Sequence, residues 1–588
     1  RFYLIPLFGE RERERERERA FVLSNECFLN LGQITGKTSF SRLKTTQKLS
    51  SKSDQFLYHQ ESLIEGPNQL LYVSLEERIS SLERGRLDPD FPSVERFISI
   101  LHDCKKVKDN KFIMRCYMYL QSNGLESQPL PGNLFICIFA DVGNIYYAQK
   151  VFNRLHCRNE CSWMSLILGY VKCGEPQEAL IFYKQMQQDD SVYPSKHTFV
   201  AALKACSQIT DLECGCRIHD QIAKKGLIER DVVVGSALVH MYAQCGVLEK
   251  AQQVHDELPL RDVISWSALI AGYVEHGQGH TALNCLENMQ IEGLLPNEVT
   301  FINIFKACGI TGAIDKGKQI HDDIVRRSLL DRHDVLANAV VDMYGKCGAL
   351  TKAQQVHDQL PVKNVSSWNS LISGYVQHRQ AHEALDCFEQ MKMKGFSPDH
   401  ITYLSALKAC GAARAIDMGK KIHNEIIRQH MLKENIELSS AVVDMYSKCG
   451  MIAKAHEVLE ELPVRNIVSW NALITGYVQE GQCHKALNCY EQMESEGLSP
   501  DVVAFLCILK ACGNAGILDE GKQIHDEIVN KGLLEKSPML GNALVDMYAK
   551  CGELKKAEGL HDVLPTQSTS SWNALITGYV LHGQNHQA

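Results

Sequence analysis

Several features are scarce in this 588-residue chain, and each scarcity excludes a class of protein. None of its 22 cysteines forms a C-x-x-C pair; they lie in phrases such as "KCG" and "KAC", which indicates a reducing compartment rather than a disulfide scaffold. No run of 18 apolar residues occurs, so no transmembrane helix is predicted. The formal net charge is −8, unlike that of a typical DNA-binding protein. Any contact with nucleic acid must therefore depend on base edges or on a local basic stripe.

The first 92 residues differ in composition from the rest. Residues 10–19 alternate Glu and Arg strictly, which is typical of a disordered low-complexity segment. Residues 36–53, "GKTSFSRLKTTQKLSSKS", carry five basic residues and no acidic one. This composition predicts an organellar transit peptide, and a solvated linker is the alternative interpretation. The chain begins with Arg1 and its first methionine is Met114, so we expect an incomplete amino terminus.

The rest of the chain repeats itself. The ten letters "SWNALITGYV" at 469–478 return at 571–580, with near-copies at 265–274 and 367–376. Trp266, Trp368, Trp470 and Trp572 are therefore each 102 residues apart. One such period divides into segments of 35, 36 and 31 residues, for example 263–297, 298–333 and 334–364. A fixed internal period of this kind is the signature of a repeat protein.

Each segment has the pattern of a helical hairpin. In 263–297, Trp266, Leu269, Ile270 and Tyr273 follow the i, i+3, i+4, i+7 spacing of an amphipathic helix. The letters "EHGQG" interrupt it, and a second apolar stripe follows before "EGLLPN" ends the hairpin. A single hairpin of this length cannot bury its apolar face alone, whereas stacked hairpins can. The sequence therefore predicts an all-α fold, a right-handed α-solenoid of about thirty helices with little or no sheet.

The same register places an array at 93–588, after the segment 1–92. It contains 14 complete hairpins, the first of them weak, and a truncated one from 569. Because the truncated hairpin would leave an apolar face uncovered, we expect the chain to be a fragment at its carboxyl end as well. The complete hairpins are 93–128, 129–159, 160–195, 196–231, 232–262, 263–297, 298–333, 334–364, 365–399, 400–435, 436–466, 467–501, 502–537 and 538–568.

Three phrases return in fixed order and spacing: "SWNALITGYV" with "SEGLSPD", "FLCILKACGNAGILDEGKQIHDEI", and "GNALVDMYAKCGELKKA". They resemble the pentatricopeptide repeat family of plant organelles, in its PLS subclass, where motifs of these three lengths alternate. Tetratricopeptide repeats are the nearest alternative, but their uniform 34-residue period does not fit.

The resemblance implies binding of single-stranded RNA, one base per motif, from the 5′ to the 3′ end along the chain. The residue after Trp would face the base, and the last residue of the motif would support it. The implied pairs are Asn133 with Asn159 (pyrimidine), Ser236 with Asp262 (G), Ser267 with Asn297 (A), Asn338 with Asn364 (pyrimidine), Asn369 with Asp399 (U), Ser440 with Asn466 (A), Asn471 with Asp501 (U) and Asn542 with Ser568 (C); Asn573 occupies the reading position of the last hairpin. Residues 232–568 then imply the sequence G-A-N-Y-U-N-A-U-N-C.

The 36-residue motifs carry apolar residues at the reading position, namely Val200, Ile302, Leu404 and Leu506. Apolar side chains cannot read a hydrogen-bonding edge, so these motifs are interpreted as spacers. The family's second motif residue sandwiches the base, and Val233, Ile264, Val335 and Val468 fit that role. Three residues depart from it, Ser366, Glu437 and Ser570, and Met164 stands where a polar reader belongs, so the hairpin at 160–195 receives no base.

No residue constellation predicts catalysis. His255, His357 and His561 share a repeat position that Leu459 fills in another copy, which indicates packing. His525 begins an H-x-E pattern like half of a zinc deaminase site, but no P-C-x-x-C follows. We therefore predict no catalytic residue, no metal ligand and no cofactor, and a protein that is not an enzyme, although a missing carboxyl-terminal extension could carry a deaminase domain.

The functional hypothesis is a sequence-specific, single-stranded RNA-binding protein that selects sites for organellar RNA processing. The subclass points to cytidine-to-uridine editing, with editing cofactors or a deaminase supplied in trans. The predicted location is a mitochondrion or a chloroplast, without a choice between them, and no membrane partner is expected. The alternative is a tetratricopeptide-like scaffold that binds protein.

Overall fold

The structure is a computed structural model that describes residues 74–81, 94–107, 109–122, 129–189, 192–327, 329–330, 333–433, 435–564, 568–584 and 586. The Glu-Arg alternation and the transit-peptide-like segment lie outside the described residues, so both interpretations stay predictions. The division of the chain into 1–92 and 93–588 also stays a prediction.

Every regular element in the described part of the chain is a helix, and no strand is present there. The prediction of an all-α solenoid of stacked hairpins is confirmed. Each hairpin has a first and a second helix. The first helices are Val94–Val107, Pro129–Asp141, Glu160–Lys172, Lys196–Ile209, Val232–Gln244, Val263–Glu275, Glu298–Thr311, Asp334–Lys346, Val365–Gln377, His400–Ala413, Ile436–Lys448, Ile467–Gln479, Val502–Ala515, Pro538–Lys550 and Thr569–Leu581. The second helices are Asn110–Ser122, Ile145–Arg154, Pro176–Gln187, Leu212–Lys224, Leu248–Glu257, Gly279–Ile291, Ile314–Arg326, Leu350–Gln359, Ala381–Met393, Ile416–Arg428, Ile452–Glu461, Cys483–Ser495, Leu518–Asn530 and Leu554–Val563.

Within the described ranges, three short helices lie outside this pairing. One covers 74–81, and two precede first helices, a 3-10 turn at Met431–Lys433 and a single turn at Leu533–Lys536.

The chain divides into two compact units, Arg1–Ala268 and Leu269–Ala588. In the second unit the first helix Glu298–Thr311 packs against Asp334–Lys346, which in turn packs against Val365–Gln377. A second helix packs against its own first helix and against the first helix of the next hairpin, as Gly279–Ile291 does with Glu298–Thr311. Each unit therefore has a layer of first helices and a layer of second helices, and this places the early residues of successive first helices in a row.

The repeated tryptophan is a core residue. Trp368 has no exposed surface, and its ring packs edge-on against that of His357 at 4.3 Å between centroids. His255 and His561 pack in the same way against the tryptophans of their own copies, at 4.2 and 4.3 Å. Burial, with help from the Lys363 ammonium, lowers the pKa of His357 to about 4, so this ring is neutral at physiological pH. A neutral, enclosed ring beside tryptophan agrees with a packing role for this position.

The "KCG" phrase forms the turn between two helices. Cys347 ends the helix Asp334–Lys346, and its thiol donates to the carbonyl oxygen of Cys308 in the preceding hairpin (3.4 Å). Gly348 follows with φ of 77°, in the left-handed region that favours glycine. Burial, together with the carboxylate of Asp342, raises the pKa of the Cys347 thiol. Nowhere in the described ranges do three His, Cys, Asp or Glu side chains group so that they could hold a metal ion.

Candidate nucleic-acid interface

A row of exposed apolar side chains marks the second residue of the first helices. Val233, Ile264, Val335 and Val468, the residues assigned to sandwich a base, are between 49% and 63% exposed. Each of these aliphatic side chains lies about one helical turn before the reading position on the same helix. Because it is exposed, it can cover one face of a planar ring. Polar residues stand in the row at Ser366, Glu437 and Ser570, whose side chains are exposed, and at His197, whose side chain is half-buried.

Three of the four 36-residue hairpins continue this row of exposed aliphatic residues, which sequence reasoning missed. Val299, Ile401 and Val503 occupy the second helical position there and are between 36% and 49% exposed. The sequence carries a signal for them, since the three residues are 102 apart. The apolar residues at that reading position are only half-buried in all four of these hairpins: Val200, Ile302, Leu404 and Leu506.

The structure brings most of the predicted reading pairs together. In seven pairs, the side chain after the first-helix tryptophan position hydrogen-bonds the last residue of its own hairpin. The bonds are Asn133 Nδ2 to Asn159 Oδ1 (3.3 Å), Ser236 Oγ to Asp262 Oδ1 (3.1 Å), Asn338 Nδ2 to Asn364 Oδ1 (3.2 Å), Asn369 Nδ2 to Asp399 Oδ1 (3.0 Å), Ser440 Oγ to Asn466 Oδ1 (3.2 Å), Asn471 Nδ2 to Asp501 Oδ1 (2.9 Å) and Ser568 Oγ to Asn542 Oδ1 (3.1 Å).

The other predicted residues have the following contacts and exposure. The Ser267 hydroxyl donates to the Val263 carbonyl oxygen (2.6 Å), and the Asn297 side chain accepts from the Thr300 amide (2.9 Å). Asn573 is exposed on the helix Thr569–Leu581. Met164 is 7% exposed, buried in its helix, which is consistent with leaving that hairpin without a base.

The last residue of most hairpins also caps the next first helix; His333 and Ser537 are exceptions, since their side chains make no cap hydrogen bond. Asp501 Oδ1 accepts from the Ala504 amide (2.8 Å) as well as from Asn471. Asn364 Oδ1 likewise accepts from the Ser367 amide (2.9 Å) and from Asn338. Asn, Asp and Ser are the favoured residues at a helix N-cap because their side chains satisfy free backbone N–H groups. One side chain thus fixes the start of the following helix and the orientation of the reader, and the cap restricts its own rotation.

The carboxylate of Asp399 shows the electrostatics of such a site. Burial alone would raise its pKa, but hydrogen bonds from the Thr402 amide and from the Asn369 side chain lower the pKa below its ordinary value. The group is therefore ionised at neutral pH and acts only as an acceptor, which holds the Asn369 amide with its nitrogen towards the carboxylate.

Lysines supply a local positive charge on the same helices. The position four residues after the apolar reading residue of each 36-residue hairpin holds an exposed lysine: Lys204, Lys306, Lys408 and Lys510. Among the described residues none of the four is within ion-pair distance of a carboxylate. In three of the 31-residue hairpins the equivalent position holds an aspartate that pairs with a lysine one turn later, as Asp342 does with Lys346 at 2.7 Å. The net charge of −8 therefore coexists with unpaired cations near the reading positions.

No helix in the described ranges is both long and apolar enough to cross a membrane.

Family profiles and known proteins match the sequence of this chain. A profile described as the PPR repeat family matches residues 261–309, 363–412 and 465–514, and one described as PPR repeat matches 161–191, 439–467, 542–565 and 570–588. The chain is 34% identical over 453 residues to pentatricopeptide repeat-containing protein At4g18520, chloroplastic, of Arabidopsis thaliana, covering 77% of this chain and 72% of that protein. It is 32% identical to At1g06140, mitochondrial, of the same plant, covering 78% and 83%.

A solved structure shares the fold. The pentatricopeptide repeat protein PPR10 in complex with an 18-nucleotide psaJ RNA element is 16% identical, with a TM-score of 0.53 over 88% of this chain and 82% of that one. The chain spans 52% of the length of one such relative and 83% of another. The names of At4g18520, chloroplastic, and At1g06140, mitochondrial, agree with the predicted organellar location. On its sequence identity to these relatives and its stacked helical hairpins, the chain belongs to the pentatricopeptide repeat family.

Proposed function

We propose that this protein binds single-stranded RNA in a sequence-specific manner and selects sites for RNA processing in a chloroplast or mitochondrion. The observation that carries the proposal is the coupled reading pair, such as Asn471 with Asp501, which lies beside an exposed aliphatic residue, here Val468. A polar pair whose donors and acceptors differ from hairpin to hairpin suits recognition of base edges, and the aliphatic neighbour suits contact with a base face.

The alternation of 35-, 36- and 31-residue hairpins supports membership of the PLS subclass, and we propose cytidine-to-uridine editing as the processing event on that ground. In this proposal the chain recognises the site, and a deaminase or editing cofactor acts in trans or through an extension. No catalytic residue is assigned to the array. The 36-residue hairpins act as spacers between read bases, and the order of pairs along 232–568 gives G-A-N-Y-U-N-A-U-N-C.

The test is a competition binding measurement. A labelled RNA that contains G-A-N-Y-U-N-A-U-N-C competes with an RNA of the same composition in scrambled order. We expect the matched RNA to bind at least about tenfold more tightly, since one good base-edge contact contributes about 1–3 kcal/mol in DNA recognition. Equal affinity for both RNAs would contradict sequence-specific reading, and no binding to either would favour the protein-binding scaffold.

Removing the unpaired lysines should weaken RNA binding without changing sequence preference. We expect the triple variant Lys306→Gln, Lys408→Gln, Lys510→Gln to lose affinity equally for matched and scrambled RNA, because a phosphate contact carries no base information. The slope of log affinity against log salt should fall by about 2, since each phosphate contact on a single strand contributes about 0.7.

The matched control removes three lysines from the second helices of the same hairpins: Lys318→Gln, Lys420→Gln and Lys522→Gln. It changes the net charge by the same amount and leaves the first helices intact. An equal loss of affinity in the control would mean that only overall charge matters, and that the first-helix lysines have no special place at the RNA.

A further inference from the structure

Two hairpins with the same reading pair differ in a third residue. Both 365–399 and 467–501 pair an asparagine with an aspartate, Asn369 with Asp399 and Asn471 with Asp501. Both asparagines are 8% exposed. The third residue of the following hairpin is Thr402 in one case and Ala504 in the other, at equivalent positions 102 residues apart.

Thr402 holds the free end of the Asn369 amide. Its hydroxyl is 2.5 Å from Asn369 Oδ1 and 2.8 Å from Asp399 Oδ1. The carboxylate oxygen already accepts from the Thr402 amide and from Asn369 Nδ2, and the hydroxyl has one proton, so the shorter contact to Asn369 Oδ1 takes it. The Asn369 amide is therefore fixed at both ends.

Asn471 is held at one end only. Its Nδ2 donates to Asp501 Oδ1 (2.9 Å), while its Oδ1 is enclosed by protein and has no hydrogen-bond donor. Ala504 has no side-chain donor to supply. A buried acceptor left without a donor carries a free-energy cost, and rotation about the terminal torsion of asparagine is soft. Turning the Asn471 amide towards a donor from outside breaks only its bond to Asp501, whereas turning the Asn369 amide breaks its bonds to both Asp399 and Thr402.

Serine at the equivalent position of other hairpins does not reach the reader. The Ser367 hydroxyl donates to the backbone carbonyl oxygen of Asn364 (2.8 Å), and the amide oxygen of the corresponding reader, Asn338, has no donor. The contact from Thr402 is thus a property of this hairpin rather than of every cap.

We propose that the residue at this position determines how strongly an asparagine reader recognises its base: Thr402 competes with the base for the Asn369 carbonyl oxygen, and Ala504 leaves the Asn471 carbonyl oxygen free for a base N–H group. The proposal rests on RNA binding by these hairpins. A uracil N–H can satisfy the Asn471 oxygen, whereas in 365–399 the reader offers the base only its remaining N–H.

The experiment measures the penalty for replacing U by A opposite each of the two hairpins, in the full chain with otherwise identical RNAs. In the wild type we expect the penalty at 467–501 to exceed that at 365–399 by about 3- to 10-fold, the effect of one neutral hydrogen bond. Thr402→Ala should raise the penalty at 365–399 alone by a similar factor, and Ala504→Thr should lower it at 467–501 alone. Threonine at equivalent positions, Thr300 and Thr402, starts a helix normally, so both variants should fold.

Ser367→Ala is the control, because it removes a cap hydroxyl that does not touch its reader. If it alters the base preference at 334–364 as strongly as Thr402→Ala alters that at 365–399, the effect comes from capping and the inference is overturned. The inference would also be overturned if the wild type shows equal penalties at the two hairpins and neither Thr402→Ala nor Ala504→Thr changes them. That result would leave the proposed RNA-binding function unaffected. A wild type without a penalty at either hairpin would overturn the proposed function itself.

Discussion

Asn471→Ser should change the base that the hairpin 467–501 prefers from U towards G. Ser236 shows the geometry that the variant would adopt: its hydroxyl lies 2.8 Å from the Val232 carbonyl oxygen and 3.1 Å from Asp262 Oδ1, in a hairpin whose implied base is G. A serine is shorter than an asparagine and leaves room for a purine beside Asp501. We expect the preference between the two bases to move by about 1–3 kcal/mol, roughly 5- to 150-fold, by analogy with base-edge contacts in DNA.

The measurement is a competition between two RNAs that differ only at that base. Asparagine and serine have similar helix propensities, and Asp501 keeps its cap to the Ala504 amide, so the fold should survive. The reciprocal variant Ser236→Asn should move the hairpin 232–262 from G towards U. Folded variants with unchanged preferences would show that these residues are not the readers, and the base assignments would be withdrawn.

Trp368→Ala should destabilise the protein by about 3–5 kcal/mol, the usual cost of truncating a fully buried tryptophan. Trp368 has no exposed surface; its ring contacts His357, and the Lys394 ammonium lies 5.0 Å from its centroid. The loss should be local, because a repeat protein is stabilised by neighbouring hairpins. Urea unfolding followed by circular dichroism, with hydrogen exchange of the helices Val365–Gln377 and Ala381–Met393, would measure it.

Trp572→Ala is the matched control, since this tryptophan has the same repeat position but is 50% exposed. Its removal deletes less buried apolar area, so we expect a loss below about 2 kcal/mol. Equal losses in the two variants would contradict the view that the repeated tryptophan stabilises through burial between hairpins.

The helical hairpins were predictable from the sequence because their determinants are local and repeated. The 102-residue period and the 35, 36 and 31 division place hairpin starts at 298, 334 and 365, and the helices begin at Glu298, Asp334 and Val365. The apolar stripe, the glycine turns and the capping residues all indicate the same helix boundaries. Because these independent sequence signals agree, the boundaries of each repeat can be predicted.

The candidate site was less predictable, because it depends on contacts between hairpins. The capping role of Asn364 had a sequence signal, since Ser367 follows three residues later and the two form a capping box. The different behaviour of Thr402 and Ser367 had none. Which oxygen a hydroxyl reaches depends on its torsion and on the neighbouring helix, and no periodicity encodes either.

The capping role of the last hairpin residue limits which residue types the array can use at that position. A substitution there that suits a new base must also start the following helix, so Asn, Asp and Ser are admissible, whereas an aliphatic residue would lose about 0.5–2 kcal/mol at the cap. A substitution at this position that changes the recognised base therefore also changes the stability of the first turn of the next helix. Variation at the reading residue, such as Asn471, is free of this constraint, so an evolving or engineered array can diversify there at lower cost.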